Sequence, residues 1–93
     1  MNNVLYVPNV CEYIYNANRT KNIYAACFRH NSEKEMEENF NKYSNDFNKN
    51  IKIQYRGQNI IGKLIGLRKD RYYDIYDKII LFFTTEDYIN LWI

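Results

Sequence analysis

The sequence predicts an α+β fold. One small domain, 1–93, carries N-terminal strands or a hairpin, one amphipathic helix at about 33–48, and a strongly bent antiparallel, barrel-like sheet over 51–93. Three observations lead there. Apolar residues recur at helical spacing in only one segment, Met36 to Phe47. From Ile51 onward they alternate with polar ones, as in a half-buried strand. A later strand, 59–67, is apolar on both faces and interrupted by Gly62 and Gly66, as in a strand that bends to serve two sheets. With 46% hydrophobic and 17% aromatic residues the chain is not disordered. Three Gly and one Pro exclude a collagen-like fibre.

Residues 4–7, Val-Leu-Tyr-Val, predict a short strand that ends at Pro8, because proline cannot donate to a ladder. Residues 10–16 read as a strand by their aromatic and β-branched content, although one and a half turns of helix would also bury Cys11, Ile14 and Tyr15. Residues 16–20 have turn composition, and 22–28 form the next strand, so a hairpin of 10–16 with 22–28 is expected. Ser32 and Glu35 have capping-box spacing before the helix, and acids crowd its first turn. Met36, Phe40, Tyr43 and Phe47 form the stripe that faces the core, with Asn48 and Asn50 as stop residues. Beyond the helix, 51–55 is a strand and Arg56-Gly57-Gln58-Asn59 a tight turn. After strand 59–67, Arg68-Lys69-Asp70 is expected to turn. Strands follow at 71–76 and 78–83 with Asp77-Lys78 between them, then a turn at 84–87 and a closing strand at 88–93.

This second half resembles the small five-stranded barrels of the Sm-like and Src-homology-3 type, and with the helix the resemblance covers 33–93. It rests on the long strand containing Gly62-Lys63-Leu64-Ile65-Gly66, the tight turns and the helix placed just before the first strand. The Sm family's Asp and Asn near the third strand and its Arg-Gly before the last strand are absent; Thr85-Glu86-Asp87 stands there instead. The resemblance therefore implies the barrel and not the family's uridine pocket.

Chemistry is sparse. His30 is the only histidine, so no two-histidine metal site exists, and its place between Arg29 and Asn31 predicts an exposed loop residue. A Cys27–His30 nucleophile pair would lack an orienting third group. Cys11 and Cys27 match no zinc spacing and read as reduced, partly buried thiols. No phosphate loop, dinucleotide fingerprint or nucleophile elbow is present, so neither a cofactor nor a catalytic set is expected. The longest apolar run, Ile79 to Phe83, is too short to span a bilayer. No signal-peptide pattern opens the chain, which predicts a cytoplasmic protein with no membrane partner.

Binding is the expected use. Ten tyrosines exceed what a thin core can hide, and tyrosine is enriched at interfaces. Charge is segregated: residues 1–31 carry +2, 32–50 carry −2, 51–71 carry +5 and 72–93 carry −3. The site expected from these features is Arg56, Arg68, Lys69, Arg71, Tyr72, Tyr73 and Tyr76. A protein partner suits tyrosines beside acids, and a small homo-oligomer would use the same surplus. The alternative is a nucleic-acid-binding barrel, with the basic segment on phosphates and tyrosines under bases. Asn, Lys, Ile, Tyr and Phe supply 49 of the 93 residues, and all have codons rich in A and T. That composition is common in phages and mobile elements, and it suggests an inhibitor or modulator of a host defence protein.

Overall fold

The computed structural model describes residues 4–91 and, for Tyr72, the backbone only. Six strands and one helix follow in the order β1 (Val4–Tyr6), β2 (Cys11–Asn18), β3 (Ile23–Arg29), α1 (Glu33–Ser44), β4 (Asn50–Tyr55), β5 (Gln58–Tyr72) and β6 (Ile75–Thr84). The strands form one curled mixed sheet, ordered β1-β4-β5-β6-β3-β2, that makes a half-barrel. Only the β1–β4 pair is parallel, Leu5 lying opposite Ile51. The expected hairpin is present: β2 and β3 pair antiparallel, with Tyr13 opposite Cys27 and Tyr15 opposite Ala25.

The hollow of the sheet and one face of α1 enclose the core. Ile14, Ala26, Phe28, Ile51, Ile53, Ile60, Leu64, Ile79, Leu81 and Phe83 line it from the strands, Val7 from just after β1, and Met36 and Tyr43 from the helix. Burial at this scale stabilises by about 25 cal/mol per Å² of apolar surface. The helix starts as its sequence demands: Ser32 Oγ accepts from Glu35 N at 3.1 Å, and the Glu35 carboxylate accepts from Asn31 N at 3.3 Å. It ends earlier than the periodicity suggests, at Ser44 with Asn45 as C-cap. Asn48 then takes a positive φ of 68° and turns the chain back, so that Asn48 N donates to Leu64 O at 2.8 Å.

The second half departs from the expected strand count. β4 and β5 are joined by Arg56-Gly57, both at positive φ (48° and 80°), as a two-residue hairpin requires. β5 then runs unbroken for 15 residues, so Arg68-Lys69-Asp70 is strand and not turn. The chain reverses at Tyr73-Asp74, and β6 passes straight through Asp77-Lys78. Irregularities in register at Leu64/Gly66 and Asp70/Arg71 supply the bend that turns would otherwise provide. The expected closing strand over 88–93 is absent among the described residues, and Trp92 and Ile93 lie outside them. Side chains take the place of a ladder there. Thr85 Oγ1 donates to Ile61 O at 2.7 Å, and the Gln58 amide exchanges two 2.9 Å bonds with the Asn90 backbone. Among the described residues, Ile51–Leu91 therefore carries three strands rather than five.

His30 is also corrected: it is buried, 3% exposed, because its backbone N–H donates to Asp77 O at 2.7 Å and draws the residue into the β3–β6 seam. Among the described residues no group hydrogen-bonds either ring nitrogen, so it forms no pair with Cys27. Both cysteines are buried and unbridged.

Burial has a consequence at alkaline pH. It pushes the Cys11 thiol up to about 12 from 9.0, the Tyr43 phenol up to about 12 from 10.0, and the Cys27 thiol upward. Each group stays protonated in the fold at a pH where the unfolded chain releases the proton. The stability it contributes is whole below about pH 9 and drains as pH rises toward about 12. The urea midpoint is expected to fall between about pH 8 and about pH 10.5, with thiol labelling of the native protein slow at the lower value. A midpoint unchanged over that range would contradict the burial of these groups.

Candidate protein-interaction surface

The sequence of β3 and β6 places this surface. An antiparallel sheet covered on one side alternates apolar and polar residues, yet Ile23–Phe28 and Ile79–Phe83 are apolar throughout. Their inner side chains fill the core. Their outer ones, Ala25, Cys27 and Ile80, form a second buried cluster with Phe82 packed against it. Small Ala25 and Cys27 leave room for neighbours to lie over them. Tyr13 and Tyr15, opposite them on β2, stack at 6.1 Å and stay about 40% exposed. A hydrogen bond with the Cys27 side chain, then burial, pushes the Tyr13 phenol up to about 12. From β5 the Arg68 guanidinium lies over the Phe82 ring at 5.9 Å. The result is an aromatic and arginine surface on a buried floor, the composition of interface hot spots.

Beside this face, the end of the β5–β6 hairpin projects past β3 and presents residues of both faces. β3 pairs β6 only as far as Arg29 opposite Lys78, so 75–77 and 70–74 extend beyond it. Arg71 pairs with Tyr76 and places its guanidinium 5.3 Å from that ring. Tyr76 in turn packs on the core cluster. Tyr73 occupies the turn at a φ of 57°, a region that bulky residues rarely adopt, and is 78% exposed. Ile75 beside it is exposed as well.

The expected site residues thus divide. Arg68 lies on the outer face over Phe82, whereas Arg71, Tyr73 and Tyr76 stand at the hairpin end. Tyr72 lies in the ladder opposite Ile75, its side chain outside the description. Lys69 is drawn elsewhere: its Nζ meets both Glu37 carboxylate oxygens at 2.8 Å and lies 4.8 Å from the centre of the Phe40 ring, tying β5 to α1. Arg56 stacks on Tyr55 at the opposite end of β5. Tyr13, Tyr15, Ile75 and Phe82 were not among the expected residues. The signal that could have found them is the unbroken apolar run of β6, which needs cover on both faces.

No helix among the described residues is long and apolar enough to cross a membrane. Nor do three or more His, Cys, Asp or Glu side chains among them gather as a metal site would require. Compared with protein-family models, with curated proteins and with solved structures, the chain matches none.

Proposed function

We propose that this protein is a non-enzymatic module that binds another protein and inhibits or modulates it by occupying its surface. The observation that carries the reading is the hairpin end, where Arg71, Tyr73, Ile75 and Tyr76 stand together beyond the cover of β3. Tyrosine and arginine held over buried apolar neighbours are what binding hot spots are made of. The strained φ of Tyr73 adds support, since strain of this kind costs about 1–3 kcal/mol and concentrates at functional sites. The composition supports a phage or mobile-element source, which would place the protein in the host cytoplasm with a defence protein as its target.

Nucleic-acid binding draws less support. The +5 segment is dispersed, with Arg56 at one end of β5, Arg71 at the other and Lys69 engaged by Glu37.

Tyr73→Gly tests the reading. Glycine relieves the positive φ, so the melting temperature is expected to hold or rise. Binding of the partner recovered from host lysate is expected to weaken by about 2 kcal/mol or more, and further with Arg71→Ala. Arg56→Ala is the matched control and should leave binding unchanged. Recovery of no protein that depends on Arg71 and Tyr73 would defeat the reading. Oligonucleotide binding that falls steeply with salt would replace it.

A further inference from the structure

β5 is two strands in one. Its first half, Gln58 to Lys63, is paired by β4. The Lys49 carbonyl and the Asn48 N–H then bond Leu64, at 3.0 and 2.8 Å. From Ile65 onward β6 pairs one side only, and no described strand pairs with the other. α1 meets β5 through the Lys69 side chain and Glu37. The open stretch runs from Ile65 to Asp70, after which the Asp70 carboxylate takes the Arg71 N–H at 2.9 Å. Six residues is an ordinary strand length.

The charges along this edge are not balanced within the chain. Lys69 is neutralised by Glu37, and Asp70 lies directly opposite Lys78. Arg68 and Arg71 remain. Neither has a carboxylate within salt-bridge distance among the described residues, and each is held over an aromatic ring, Phe82 and Tyr76. They lie three residues apart on one strand, so they face opposite sides of the sheet.

We propose that the β5 edge from Ile65 to Asp70 takes up an extended acidic segment of the partner protein as an added strand, with two carboxylates three residues apart meeting Arg68 and Arg71. This rests on the protein-binding reading above and names the chemistry of the partner. The unpaired edge presents alternating N–H and C=O groups, which another backbone matches and a nucleic acid does not. Partly buried Ile65 and Leu67 offer apolar contact between the arginines and the core.

The probe is a capped peptide of about ten alternating Val and Thr residues carrying two Glu three positions apart. Saturable binding below about 1 mM is expected, at least about tenfold weaker when Lys replaces Glu, and weaker by a similar factor on Arg68→Gln/Arg71→Gln protein. N-methylation of one alternate set of peptide residues should abolish binding, and of the other set should not. Amide exchange at 65–70 should slow in the complex. No binding at about 1 mM, equal binding of the Lys peptide, indifference to both N-methylation patterns, or displacement by an oligothymidylate would each overturn the proposal. If the peptide fails while a partner is still captured through Tyr73 and Arg71, the added strand falls and the module reading stands. If both fail, both fall. The peptide controls need no protein variant, so loss of folding in the arginine mutant leaves the test intact.

Discussion

Gly62→Val is expected to cost ~3 kcal/mol, a large share of the stability of a domain this small. Valine is the better strand former, and propensity alone spans only ~1 kcal/mol in the opposite sense. Geometry decides the sign. A Cβ on Gly62 would sit 2.6 Å from Phe83 Cδ2 and 2.7 Å from the Thr84 carbonyl oxygen. The ring could yield if it were free, but Phe83 is fully buried and stacked with Tyr24 at 5.9 Å. The carbonyl belongs to the β6 backbone and moves only if the curl of the sheet opens. Gly66→Ala is the contrast: its Cβ would meet Phe82 Cβ at 3.4 Å, an ordinary contact, and its φ is not positive. That variant is expected to stay within ~1 kcal/mol of the parent. Urea titration of both variants checks the pair, and a neutral Gly62→Val would mean that β5 and β6 do not approach this closely.

The two glycines illustrate what a sequence can and cannot disclose. Their presence in a strand apolar on both faces announces a bend, and the bend is there. Which glycine is indispensable depends on Phe83, about twenty residues away, and no local pattern carries that. The turns show the same division. Arg56-Gly57 was legible because glycine at positive φ is the ordinary hairpin solution. The reversal at Tyr73-Asp74 was not, because a tyrosine at positive φ is among the least expected turn residues. Charged Arg68-Lys69-Asp70 and Asp77-Lys78 drew the expected turns to themselves instead. In the fold these charges are answered across strands and by the helix, through Glu37 and Lys78, and so the strands continue.

The candidate surface was half legible for a related reason. Arg68, Arg71 and Tyr76 were expected there from residue type and charge alone. Lys69 has the same type and shares its face with Arg71, yet α1 lies over it and takes it up through Glu37 and Phe40, a helix–strand contact that no local pattern announces. Tyr13 and Tyr15 become neighbours of Phe82 only through the β2-β3-β6 order, and strand order is a tertiary fact. His30 was misjudged because one backbone bond to Asp77 sets its burial.

The helix stripe offers the second large expected effect, and it separates residues that look alike in sequence. Met36, Phe40, Tyr43 and Phe47 keep one helical spacing, so periodicity alone predicts that all four matter. Met36 and Tyr43 are fully buried, Phe40 is half-buried under Lys69, and Phe47 is 48% exposed. The reason is the early stop at Asn45 and the left-handed turn at Asn48, which carry Phe47 off the stripe so that Lys49 can reach Leu64. Met36→Ala is expected to cost ~2–5 kcal/mol, because Met36 is fully buried in the core cluster shared by helix and sheet and its removal leaves a cavity there. Phe47→Ala should stay within ~0.5 kcal/mol. Urea midpoints at neutral pH distinguish the two, and similar losses at both positions would mean that the helix runs on through Phe47 and buries it.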